Sequence, residues 1–197
     1  MSHVVVISGG LGSPSSTRVL SDDIVARLRE SLAMKGESLE ATVVELRELA
    51  HPITDAMLTG FPTGELAKVI EKVAEADALV VVSPTFSASI SGLVKSFFDI
   101  LETGTLTGKP VLMAATGGTE RHSLMIDFAM RPLLSYLGAL PVRTGVFAAT
   151  SDFGGPQAAA LAGRVRQAAD ELADAIVGAP RKAREDDFVE FATLLGK

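Results

Sequence analysis

Apolar positions along this chain follow two alternating rhythms. Short runs rich in Val, Ile, Leu and Ala occupy residues 4–8, 41–46, 78–83, 111–115 and 142–147, and unbroken apolar runs of that length suit strands buried on both faces. Between them, residues 17–34, 65–76, 91–101, 123–137 and 156–177 carry apolar side chains at helical spacing. The last of these follows the Gly154-Gly155 turn, with Pro156 at a suitable first helical position. Strands alternating with longer helices predict a parallel sheet covered by helices on both faces.

Five such strands suit an α/β, flavodoxin-like three-layer sandwich with strand order 2-1-3-4-5. Residues 51–64 contain two prolines, two glycines and Phe61, so they read as a long surface loop, a plain connector or a cofactor lid. A length of 197 residues gives room for one well-filled core. Residues 1–179 are therefore expected to form one domain. Residues 180–197 form a charged tail in which Phe188, Phe191, Leu194 and Leu195 could dock one helical turn on this chain or on a partner subunit.

Composition narrows the chemistry. The chain has no cysteine, which excludes disulfides, thiolate nucleophiles and Cys-ligated metal centres. Its formal charge of −6 opposes a surface that tracks phosphate backbones, so nucleic acid is not an expected partner. His3, His51 and His122 are scattered, and no metal is assigned. The first residues lack a basic, cleavable leader, and no apolar run approaches the roughly 20 residues needed to cross a bilayer. A cytoplasmic protein without membrane attachment is the expectation.

In an open parallel sheet, ligands sit outside the carboxyl ends of the strands. Three loops there carry candidate chemistry. The first, from Ser8 through Gly10, Leu11, Gly12 and Ser13 to Ser15, Ser16, Thr17 and Arg18, leads directly into a helix. Glycines admit close approach of an anion, hydroxyls supply neutral donors, and free amides at the helix start favour negative charge. It lacks the Gly-Lys-Ser/Thr ending of a P-loop. It also lacks the third glycine of a dinucleotide fingerprint, and Glu45 lies well beyond the roughly 20-residue offset of the ribose-binding acid. A monophosphate such as that of FMN suits it better.

The second loop comprises Ser83, Pro84, Thr85, Phe86, Ser87, Ala88, Ser89, Ile90, Ser91 and Gly92, whose small polar residues leave amides open to a planar heterocycle. Phe86 reads either as a flank to such a ring or as a core aromatic beneath the loop. The third loop, with Thr116, Gly117, Gly118, Thr119, Glu120, Arg121 and His122, offers backbone amides to ring carbonyls. Hydride transfer requires mainly that donor and acceptor be held together and water limited, so no catalytic side chain is assigned.

These residues resemble the NAD(P)H-dependent FMN reductases, especially those serving two-component alkanesulfonate monooxygenase systems. The likeness rests on the run from Ser83 to Lys95, on Ala115-Thr116-Gly117-Gly118-Thr119 with His122, Asp127 and Arg131-Pro132-Leu133-Leu134, and on Gly145-Val146-Phe147-Ala148. It implies that Ser15, Ser16 and Thr17 bind the FMN phosphate, with Pro84, Thr85, Phe86, Ser87, Ala88 and Ser89 and then Thr116, Gly117, Gly118 and Thr119 lining the isoalloxazine. It further implies NADPH or NADH as reductant, homodimers or homotetramers, and delivery of reduced FMN to a separate monooxygenase.

Two departures stand out. The first loop reads Gly10-Leu11-Gly12-Ser13 where many relatives carry Ser-x-Arg, so a charged phosphate contact is missing or comes from elsewhere. Phe128 stands where members of the alkanesulfonate systems can carry Tyr. The same loops also serve quinone or azo reductases with tightly held FMN, and flavodoxin-like electron carriers. Sparse aromatics, with no Trp and one Tyr, weigh against the carrier.

Overall fold

The apolar runs are strands of one largely parallel sheet, and they read as nearly continuous because helices cover both faces. The computed structural model describes residues 1–155 and 157–179. Its strands are β1 (Ser2–Ser8), β2 (Leu39–Glu45), β3 (Ala78–Phe86), β4 (Ser89–Ile90), β5 (Pro110–Gly117), β6 (Leu140–Pro141) and β7 (Val146–Ala149). The main path runs β2-β1-β3-β5-β6, with β4 pairing on β3 and β7 on β5. Taking β6 and β7 as one interrupted fifth strand reproduces the expected 2-1-3-4-5 order.

Alternation along each strand divides the core in two. Val4, Val6, Val80 and Val82 face α1 (Ser16–Met34) and α6 (Ala158–Gly178), packing on Leu20, Ile24, Leu28, Val165 and Leu172. Val5, Ile7, Leu79 and Val81 face the other layer, where α2 (Ala50–Thr59), α3 (Gly64–Glu75) and α4 (Gly92–Asp99) bring Ile53, Leu66, Val69 and Phe97. Phe97 and Phe98 meet edge to face at 5.6 Å.

Residues 51–64 are not a long loop. A 3-10 turn (Leu46–Leu49) runs straight into α2, which buries Ile53 and Ala56. Pro52 falls in the first turn, where its missing N–H has no helical partner to lose. Gly60 closes the helix at φ 80°, its N–H donating to the Ala56 carbonyl. The two breakers therefore bracket a helix.

The helix expected over 123–137 forms as a π-helical turn (Ile126–Met130) running directly into α5 (Arg131–Tyr136), with a separate 3-10 turn (Glu120–His122) before it. Pro132 cannot donate to the carbonyl four residues back, which releases the backbone there. The fifth strand is interrupted where the Val142 and Arg143 carbonyls and the Thr144 amide find partners off the ladder. Arg131 donates to the carbonyls of Val142 and Arg143 at 3.0 and 2.9 Å, and the Thr144 amide donates to Glu171 at 2.7 Å. The second loop is shorter than expected, since β3 extends to Phe86 and turns back into β4. The Lys95–Asp99 pair forms on α4 at 2.5 Å between exposed groups, a minor contribution. Pro156 and the tail at 180–197, with Phe188, Phe191, Leu194 and Leu195, lie outside the described residues.

Burial alone would raise the Glu171 pKa. The Thr144 hydroxyl and amide, Gln167 and Arg143 outweigh that burial and hold the carboxyl below its ordinary value. A depressed folded-state pKa gives stability that is present above the ordinary glutamate range and is lost as pH falls through the folded value. Glu171→Gln is expected to flatten the acid limb of stability measured by thermal melts across pH, with little change in slope near neutrality.

Candidate functional site

The carboxyl ends of β1, β3 and β5 lie side by side where the chain, having placed β2 on one flank of β1, returns to place β3 on the other. That reversal is the crevice at which open α/β sheets receive ligands. All three predicted loops open there.

The first loop is pinned to the sheet by the Gly9 amide, which donates to the Val82 carbonyl at 2.8 Å. A Cβ on Gly9 would collide with Val94, and one on Gly10 with the Ser15 hydroxyl. The path therefore requires bare backbone at both positions. Ser15 is the N-cap of α1, its Oγ accepting from the Arg18 amide at 3.2 Å. The amides of Ser16 and Thr17 belong to the first turn, have no intrahelical acceptor, and stand at the positive end of the helix dipole. Ser8 is buried at the end of β1 and Leu11 is exposed.

Loops two and three close against the first. A Cβ on Gly9 would come within 3.2 Å of Pro84 Cδ. Thr17 and Thr116 share a buried hydroxyl–hydroxyl hydrogen bond of 3.0 Å, tying the start of α1 to the end of β5. The Thr17 hydroxyl is thus engaged with the third loop. A Cβ on Gly117 would lie 2.8 Å from Phe147 Cζ and 3.5 Å from Thr85 Oγ1, so bare backbone is needed here too.

The tip between β3 and β4 is strained. Ser87 and Ala88 adopt φ of 48° and 64°, the left-handed pair of a tight hairpin turn normally given to Asn-Gly. Ser83 Oγ secures the base, donating to the Pro84 carbonyl at 2.9 Å and accepting from the Ser91 amide at 3.0 Å. Phe86 is 45% exposed, which excludes it from the core and leaves its ring free beside the crevice with Ser89 close by on β4. Thr85 Oγ1 is buried with no hydrogen-bond partner among the described residues. Beyond the glycine pair, Arg121 Nε donates to Thr119 Oγ1 at 3.1 Å.

Sequence reasoning missed Arg47, which follows β2 and donates from Nη1 to the Gly12 carbonyl at 3.3 Å. The available signal was its position at the end of the strand next to β1. A separate cavity of about 460 Å³ opens beside the third loop, toward the β7 edge, lined among others by Glu120, Asp127, Phe147, Asp152 and Arg164. Of the predicted loop residues, Glu120 alone stands in its lining.

Comparison with known proteins identifies the family. A family model described as NADPH-dependent FMN reductase matches residues 2–154. An FMN reductase (NADPH) of Pseudomonas aeruginosa is 38% identical over 172 residues, covering 86% of this chain and 90% of the relative. The NADH-dependent FMN reductase SfnE of Pseudomonas putida is 39% identical over 85% of this chain and 89% of its own length. Among solved structures, an oxidoreductase from Corynebacterium diphtheriae superposes with a TM-score of 0.89 at 47% identity, covering 91% of this chain and 99% of that one. An NADH:FMN oxidoreductase in its apo form reaches 0.78 at 28% identity, covering 91% and 92%. The chain belongs to the NADPH-dependent FMN reductase family.

Proposed function

We propose that this chain is an NAD(P)H:FMN oxidoreductase whose FMN site is the crevice built from the three loops, and that it passes reduced FMN to a separate monooxygenase. The observation that carries the site is the convergence of bare backbone at Gly9, Gly10 and Gly117 with an orphaned hydroxyl at Thr85, all at the sheet's switch point. The residues fit FMN. The first-turn amides of Ser16 and Thr17 suit its phosphate, the open space around Gly118 suits a flat ring, and Thr85 Oγ1 would find in a polar ring or ribityl atom the partner it lacks among the described residues.

When bound, FMN accepts a hydride from NAD(P)H and a proton from solvent, giving FMNH2 and NAD(P)+. The protein's part is to grip the phosphate at α1, hold the ring against the 86–89 hairpin and the 116–119 loop, and fix the nicotinamide beside it.

The resemblance to reductases of two-component systems supports release of reduced flavin. No helix among the described residues is long and apolar enough to cross a membrane, in keeping with a cytoplasmic enzyme. Leu124, Phe128, Tyr136 and Leu140 are exposed along one segment, a surface that the expected homodimer or homotetramer would cover.

Flavin-stripped protein is expected to oxidise NADPH or NADH only when micromolar FMN is added, and to leave reduced flavin free in solution. Silence with both nucleotides would refute the reductase, and flavin retained through dialysis would favour a quinone or azo reductase. Thr85→Val removes a buried hydroxyl that has no partner among the described residues, so apo-protein stability should hold or rise. FMN affinity should fall about fivefold, the worth of one net hydrogen bond; equal FMN affinity by fluorescence titration would remove Thr85 from the site.

A further inference from the structure

Two arginines beside the first loop are arranged around one carboxylate. Glu45, the last residue of β2, has a side chain only 19% exposed. Arg18 Nη1 donates to its Oε1 at 2.7 Å, while Arg47 Nε lies 2.9 Å from its Oε2. Arg18 is further occupied by Asp22, with Nε donating to both carboxylate oxygens at 2.9 and 3.0 Å.

Arg47 is less well satisfied. Its buried Nε is close to Glu45 but lacks hydrogen-bond geometry, and among the described residues its one hydrogen bond is the 3.3 Å contact with the neutral Gly12 carbonyl. Arg47 is thus held at the loop's backbone with donors to spare.

The charge pattern of α1 points the same way. Arg18 is its third residue and the first turn holds no acidic side chain, so a cation stands at the positive end of the dipole. Asp22 and Glu45 hold that cation in place, where it faces any anion seated on the helix amides.

We infer that Arg47, held by Glu45 and seconded by Arg18, is a charged contact for a phosphate monoester seated at the start of α1. FMN and the 2′-phosphate of NADPH share that chemistry, and the phosphate of FMN is the ligand assigned. This rests on the FMN site proposed above. Arg47 exchanges a long bond to a carbonyl for a charge-assisted bond to the phosphate, which gives the site its preference for FMN over riboflavin, the same ring and ribityl chain without the phosphate.

The test is fluorescence titration of FMN and of riboflavin into wild-type protein, Arg47→Gln and Arg47→Lys, with KM measured for NADPH and NADH. Arg47→Gln should weaken FMN about tenfold, leave riboflavin unchanged and leave the NADPH to NADH ratio of KM unchanged, with Arg47→Lys in between. Unchanged FMN affinity in a wild-type background that prefers FMN overturns this inference alone. Equal losses for FMN and riboflavin overturn it in favour of general loop damage. A rise confined to the KM for NADPH gives Arg47 to the 2′-phosphate instead. A wild type that fails to prefer FMN over riboflavin overturns the phosphate site itself, and this inference with it.

Discussion

Covering both faces of a parallel sheet leaves chemistry nowhere to go except the strand ends. Here β1, β3 and β5 are sealed between two apolar layers, one carried by α1 and α6 and the other by α2 to α5. Their side chains are spent on packing. Because β1 lies between β2 and β3, the crossover from β1 goes to one side and the crossover from β2 returns past β1 to the other, so the loops leaving β1 and β3 are parted. The crevice follows from connectivity, and the buried Thr17–Thr116 bond fixes how its two sides meet.

The site is assembled largely from things that cost stability. Gly9, Gly10 and Gly117 give up conformational entropy on folding. Ser87 and Ala88 hold left-handed backbone at about 1–2 kcal/mol each, and Thr85 buries a hydroxyl without a partner. Features of this kind persist where surrounding structure over-determines them, and they gather at ligand sites. A bound ligand would give the Thr85 hydroxyl the partner it lacks among the described residues, whereas an ordinary turn would have no use for these features together.

Much of this could be read from the chain because burial on both faces writes itself as continuous apolar runs. The runs at 4–8, 78–83 and 111–115 became β1, β3 and β5 with small shifts at their ends. What escaped was set by tertiary partners. Pro52 and Gly60 look like breakers, yet one starts and the other caps α2 over a buried Ile53. The gap in the fifth strand depends on Arg131 and Glu171, which reach residues 142–144 from elsewhere in the fold. The three loops were found through their glycines and hydroxyls, whereas Arg47 joins them from 35 residues beyond Gly12, a proximity that exists only once β2 lies beside β1.

The most direct test of the central claim is to follow backbone amide resonances while FMN is titrated into flavin-free protein. The largest shifts should fall on Ser16 and Thr17, on the 86–89 hairpin, and on Gly118 and Thr119. Shifts centred instead on the cavity near Glu120, Asp152 and Arg164, with the α1 amides unmoved, would contradict a flavin site at the switch point.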